Sequence, residues 1–259
     1  MHRTRRTPAL AAAAALSATL ATALVIAAPP AGAATAEREL DLRFEAGSQR
    51  VSAGAVALTV RTVTHNGGSV ASSSGRSGNA VRFPAFRSSN PPLAALAVTD
   101  RDGADDLAPG TARFRFGADF TLDATSQGSK VDNGNNLVQR GLWGHPMQYK
   151  LEVDGKRPVC RVKGASGAVQ VRSSVTVTPD TWYRAVCERN GSKVTLSVTR
   201  LGNGASWTSS ATGATGSLRP SSASVPLSVG GKLDASGRLM TGSADQFNGK
   251  VDNAFVNVF

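Results

Sequence analysis

Apolar and polar side chains alternate at every second position along most of this chain, and no amphipathic helix of useful length competes with that pattern. In Thr111–Leu122, Ala112, Phe114 and Phe116 share one face, while Arg113 and Arg115 take the other. Tyr149, Leu151 and Val153 alternate with Lys150 and Glu152, and Val194, Leu196 and Val198 alternate with Thr195, Ser197 and Thr199. A period of two puts one set of side chains into a core and the other outside it, which describes a half-buried strand.

Turn signals divide these runs. Asn66-Gly67-Gly68, Asp154-Gly155 and Asn190-Gly191 are sequences that reverse a chain between paired strands. Further short strands are predicted at Leu40–Phe44, Val51–Val63, Ala80–Phe83, Leu96–Val98, Leu137–Gln139, Val159–Lys163, Val169–Arg172, Val175–Val177, Trp182–Glu188, Val225–Val229 and Val251–Phe259. Ser69–Asn79 reads as a Ser/Gly-rich loop, and Leu201–Arg219 as a long loop or weak edge strands. Many short strands with regular punctuation, no internal repeat and no Pro-rich linker predict one all-β domain, an antiparallel β-sandwich over residues 37–259.

Residues 1–36 read differently. Arg3, Arg5 and Arg6 precede an uncharged Ala/Leu/Val/Ile stretch from Pro8 to Ala28, followed by Ala31-Gly32-Ala33 and Ala34-Thr35-Ala36, two small-x-small patterns. That is the plan of a cleaved secretory signal peptide, so the expected location is extracellular, with no membrane span after cleavage. The two cysteines, Cys160 and Cys187, both lie within the remaining chain. An even count in an exported protein, with no histidine nearby and no second pair to complete a metal site, predicts one disulfide.

The formal charge is +11, and losing the leading three arginines takes it to about +8. A basic body can hold anionic polymers. The cations are spread along the chain instead of forming a dense run, which argues against nucleic acid.

Several segments resemble a known family in their order and spacing. They are Leu42–Glu45, Gly78–Phe83, Phe120–Leu122, Leu137–Gly141, Thr178–Cys187, Val194–Val198, Pro226–Gly231 and Phe247–Ala254. This series resembles the concanavalin A-like lectin/glucanase superfamily in its laminin-G-like, jelly-roll branch. The resemblance covers nearly all of residues 37–259 and implies two curved antiparallel sheets. It implies no single activity, because the fold hosts lectins, adhesion modules and glycan-cleaving enzymes. It also implies a Ca²⁺ site near the chain ends, for which Glu45 in the opening segment and Asp252 in the closing one are the matching acids, with Asn253 where a second acid is usual. The loop Asp100–Asp106 is a second candidate for calcium. Cys160 and Cys187, taken as lying on neighbouring strands, would staple one sheet, and Trp182 at a strand start would plug the end of the sandwich.

Catalysis on such a fold has definite residue requirements. A glycosidase needs two carboxylates on one face. Glu152 and Asp154 have that spacing, but Asp154 opens a turn and the third acid usual in this superfamily is missing. A polysaccharide lyase needs His and Tyr with Arg or Gln. Arg140, His145, Gln148 and Tyr149 cluster in sequence without matching a lyase strand motif. No Ser-nucleophile elbow, zinc-binding His pair or phosphate loop is present. No catalytic residue is therefore assigned. Sugar faces stack on aromatic rings, so the candidate ligand-binding residues are Arg140, Trp143, His145, Tyr149 and Trp207. The expectation is a secreted, non-catalytic module that binds extracellular carbohydrate or a cell-surface polymer. The alternatives are a glycan-active enzyme with an atypical site and a basic surface protein docking on anionic wall polymer.

Overall fold

The computed structural model describes residues 38–45, 50–51, 58–100, 105–126, 134–219 and 225–259. The expected signal peptide, most of the Asp100–Asp106 loop and the start of Val51–Val63 lie outside the described residues.

Every regular element among the described residues is a strand. In chain order they are β1 (Arg38–Arg43), β2 (Arg50–Val51), β3 (Leu58–His65), β4 (Ala71–Ser74), β5 (Asn79–Arg82), β6 (Leu93–Asp100), β7 (Phe114–Leu122), β8 (Gly134–Arg140), β9 (Gln148–Asp154), β10 (Arg157–Gly164), β11 (Gly167–Arg172), β12 (Tyr183–Asn190), β13 (Lys193–Arg200), β14 (Ser206–Thr212), β15 (Leu227–Val229) and β16 (Gly249–Val258). They form two antiparallel sheets. The first runs β14-β13-β12-β7-β16-β1-β2, with β5 also paired to β16 and β4 to β5; the second runs β11-β10-β9-β8-β15-β6-β3.

The alternating runs supply the layer between the sheets. Phe114, Phe116, Ala118, Phe120 and Leu122 face inward from β7, and Tyr149, Leu151 and Val153 face them from β9, all essentially without solvent contact. The rings of Phe114 and Phe116 stand 5.5 and 5.0 Å from that of Tyr149. Phe247 meets Phe83 and Phe120 edge-on at 6.1 and 6.2 Å. Each buried ring or branched chain contributes about 1.5–3 kcal/mol.

Long-range pairing at β16 required an irregularity. Strand β16 pairs with β7 along its length but changes partner on its other edge, from β5 at Lys250–Val251 to β1 from Ala254 onward. The change falls on a bulge between Asp252 and Phe255, where Asn253 adopts φ +46°.

The Asp154-Gly155 and Asn190-Gly191 hairpins form as expected. Gly155 and Lys156 both take positive φ between β9 and β10, and Gly191 does so between β12 and β13. Three expectations are corrected. Ser69–Asn79 contains a strand, β4, whose small polar side chains on an exposed edge give no apolar alternation to read. The Cys160–Cys187 disulfide forms, with Cα atoms 5.9 Å apart, but β10 and β12 belong to different sheets. The bridge therefore crosses the interior and ties the sheets together. Finally, Tyr183 takes the inward place at the start of β12, buried and 6.0 Å from Phe120, which leaves Trp182 half-buried outside it.

Candidate functional site

The outward face of the second sheet carries a continuous polar row. Residues Ser228, Gln139, Lys150, Arg161 and Gln170 are successive cross-strand partners on β15, β8, β9, β10 and β11. Each is one residue removed from an inward neighbour, so the pattern that buries Leu151 and Cys160 also places Lys150 and Arg161 outside. Four of the five, Gln139, Lys150, Arg161 and Gln170, line a trough of about 340 Å³.

Two connections wall the trough. The β8–β9 connection turns at Gly141, which has φ +79° and where a Cβ would strike the Met147 carbonyl. That turn raises Trp143, which is 70% exposed and the one exposed large hydrophobic side chain among the described residues. The β15–β16 connection forms the other wall through Lys232 and Asp245. It lies on the sheet because Ala95 and Ala97 are small enough to admit Leu233 and Leu239 above them. Arg61 donates to the Gly237 carbonyl at 2.8 Å, and Asn136 donates to the Gly231 carbonyl at 2.6 Å, fixing the connection further.

Every carboxylate in the trough is matched by a cation. Lys150 Nζ lies 2.6 Å from both Glu152 and Asp245, and Lys232 reaches Asp245 at 3.1 Å. Asp154 pairs with Arg172. Arg161 donates to Gln148 Oε1 at 3.1 Å and lies 3.8 Å from the centroid of the Trp143 ring. Burial lowers the pKa of the Arg161 guanidinium below its ordinary value. Lys163 donates to the Trp143 carbonyl at 3.0 Å. The indole is thus held on one face by a cation and from its backbone by a second. Gln139 donates to the Gly141 carbonyl at 2.7 Å, but its Oε1 is buried with no partner. An acceptor in that state costs about 1–3 kcal/mol.

Of the five residues proposed from sequence for ligand binding, only Trp143 lines this trough. Arg140 and Tyr149 are cross-strand partners that point into the sandwich. Arg140 pairs with Asp105 at 2.5 Å and donates to the Val225 carbonyl at 3.0 Å, while the Tyr149 hydroxyl donates to the Leu107 carbonyl at 3.0 Å. His145 is half-buried in a turn, its N–H bonded to the Leu142 carbonyl at 3.0 Å. Trp207 is on β14 of the other sheet, half-buried against the core. The acids weighed as a catalytic pair, Glu152 and Asp154, do reach the trough, each with a cationic partner. Gln139, Gln148, Lys150, Arg161, Lys232 and Asp245 were missed. The signal for the first four was the alternation itself, one step from the inward residues.

The calcium expectation meets a poor fit. Asp252 is buried on the far side of the first sheet, with its Oδ1 accepting from the Asn253 N–H at 2.8 Å. Its pKa is pushed up to about 6, first by burial and then by the nearby charges of Asp119 and Glu45. Arg184 already clamps Asp119 with two hydrogen bonds of 2.6 and 2.8 Å. Glu45 is exposed and accepts from the Asn79 N–H at 3.1 Å. Calcium takes six to eight oxygens, and no group of three or more acids, histidines or cysteines among the described residues is placed to hold a metal.

No family model matches the sequence. No curated protein matches it. Solved structures share its fold. The binding domain of Paraclostridial mosquitocidal protein 1 is similar at 12% identity over 85% of this chain and 49% of that one, with a TM-score of 0.57. The enzymatically active domain of bacteriophage CBA120 tailspike protein 2 is similar at 12% identity over 78% of this chain and 29% of that one, with a TM-score of 0.50. The LG1–3 region of the laminin α2 chain matches 57% of this chain and 30% of its own length at 10% identity, with a TM-score of 0.44, at which no argument rests on it. The chain spans half or less of each of these proteins. At such identities the likeness is one of fold alone: a sandwich of two antiparallel β-sheets.

Proposed function

We propose that this protein is an exported binding module that holds a neutral extracellular polysaccharide in the trough on the second sheet. The observation that carries the reading is Trp143, an indole exposed at 70% yet fixed by Arg161 beneath its ring. A rigid aromatic face beside amides and paired charges suits a sugar, whose ring faces stack and whose hydroxyls both donate and accept. Lys150, Glu152, Asp245 and Lys232 neutralise one another, and the Arg161 guanidinium is taken up by Gln148 and the indole face, so the trough offers little surplus charge to an ionic ligand. Export rests on the leading segment and agrees with the buried disulfide. No helix among the described residues is long and apolar enough to cross a membrane.

Native affinity gels containing soluble β-glucan, xylan or galactomannan test the reading. Retardation by at least one polymer, lost about tenfold or more in W143A, supports it. Retardation unchanged in W143A, or absent with all three, overturns it. A chelator arm asks whether a cation contributes, with no effect expected.

A second reading has one observation in its favour. Glu152 and Asp245 each lie 2.6 Å from Lys150 Nζ, so they are no farther apart than twice that distance. Retaining glycosidases place their carboxylates about 5–5.5 Å apart. Against it, the lysine between them occupies the space a glycosidic oxygen would need. Reducing ends that accumulate with time and vanish in E152Q would favour the enzyme.

A further inference from the structure

Three turns meet at one end of the sandwich and enclose a second recess of about 500 Å³, separate from the trough. The β4–β5 turn brings Arg76, the segment before β12 brings Asp180, Thr181 and Trp182, and the β13–β14 turn brings Arg200 and Asn203. Each turn is pinned by its backbone. Gly75 donates to the Gly78 carbonyl at 2.9 Å, Asp180 to that of Leu122 at 2.9 Å, Leu201 to that of Trp182 at 2.9 Å and Gly204 to that of Arg200 at 2.9 Å. Asp180 holds φ +56°, and the Asn203 side chain accepts from the Ala205 N–H at 3.2 Å. The recess is therefore built from fixed turns.

Its arginines differ from the Lys150, Glu152, Asp245 and Lys232 network of the trough, in which each charge has an opposite partner. Arg82, Arg113, Arg140, Arg172 and Arg184 all have a carboxylate partner. Arg76 and Arg200 have none among the described residues. They line the recess together with the half-buried Trp182, and Asp180 is the single acid in that lining. Two planar forks without a carboxylate partner recognise carboxylate or sulfate oxygens in pairs, and a ring in the same recess offers a flat apolar surface to the sugar that bears the acid. Asp180, Thr181 and Asn203 can meet the remaining hydroxyls.

We propose that this recess binds the acid group of a carboxylated or sulfated polysaccharide. The proposal goes beyond the trough reading and does not depend on it. The trough takes an uncharged ligand on the second sheet; this recess takes an anionic one at the sandwich end.

The test is affinity electrophoresis at physiological salt in gels carrying polygalacturonate or dextran sulfate. Methyl-esterified polygalacturonate and unmodified dextran serve as uncharged controls of the same backbones. Wild type should be retarded by one or both acidic polymers and by neither control. R76A and R200A should each weaken that retardation about tenfold, while R87A, which removes an exposed arginine elsewhere, and W143A should leave it unchanged. Which acidic polymer is retained identifies carboxylate or sulfate as the recognised group. Absence of retardation by both acidic polymers overturns the proposal, as does equal retardation by the uncharged controls. A loss in R87A equal to that in R76A also overturns it, since it would mean diffuse attraction to a basic surface. Unchanged retardation in both R76A and R200A does the same. Far-ultraviolet circular dichroism and melting temperature check that each variant is folded, which is expected because neither guanidinium has a charge partner among the described residues.

Discussion

The Arg161 guanidinium lies 3.8 Å from the centroid of the Trp143 ring while its Nε donates to Gln148 at 3.1 Å. The cation is itself positioned, so the indole inherits its orientation from the sheet. R161A should release the ring. Affinity for the neutral polysaccharide is expected to fall about five- to tenfold, with stability lowered by about 0.5–2 kcal/mol, the range such stacks contribute. Tryptophan fluorescence anisotropy and isothermal titration calorimetry measure the two effects. A variant that binds like wild type would show that the ring needs no support.

Removing Arg140 should act on stability alone. Its guanidinium is buried against Asp105 and the Val225 carbonyl, facing away from the trough. R140A leaves a partner carboxylate without its cation, and losing one side of a buried pair costs about 3–5 kcal/mol. Urea unfolding should show a loss of that order, and any folded fraction should bind polysaccharide at wild-type affinity. Lost affinity with unchanged stability would return Arg140 to the recognition surface.

The pH dependence of stability should carry the mark of Asp252. Its folded pKa is raised to about 6, above the ordinary carboxylate value near 4, by burial and then by the charges of Asp119 and Glu45. The stabilising contribution of such a group is complete below the unfolded value and is lost as pH rises through the folded one. Wild type should therefore weaken relative to D252N between pH 4 and pH 8, by ~1–2 kcal/mol, because the amide keeps the acceptor for the Asn253 N–H without the charge. Paired denaturation curves at both pH values test this, and a difference independent of pH would contradict it.

The disulfide should matter as a tie between layers. Cys160 and Cys187 join β10 to β12 across the interior and are separated by 27 residues in sequence. On the chain-entropy account, closing such a loop contributes roughly 3–4 kcal/mol. A C160A/C187A variant should lose about that much in urea, with trough binding retained at low temperature. Thiol labelling of the unreduced protein should find neither cysteine accessible.

Alternation made the strands legible, because Leu151 and Val153 against Lys150 and Glu152 leave one reading of what is inside. The same rule misplaced the candidate site where both neighbours are large and hydrogen-bonding. Arg140 and Tyr149 have the chemistry of a sugar site, but their register pairs them with each other and with Leu227, on the side of Val138 and Leu151. Gln139 and Gln148 were outside by the same count. Asp245 was out of reach of any local pattern, since it meets Lys150 from 95 residues away through a connection held on small alanines. The disulfide pairing was readable from composition, but which sheets it joins was not, because the crossing between β11 and β12 is a matter of topology.

The trough floor from β8 to β11 is one uninterrupted up-and-down meander, residues 134–172, whose neighbours in space are neighbours in sequence. Lengthening or re-sequencing the single connection that lifts Trp143 would re-aim the indole while leaving every ladder beneath it in register. Ligand preference in a scaffold wired this way can drift by loop exchange alone, independently of the hydrophobic interior that keeps the molecule folded.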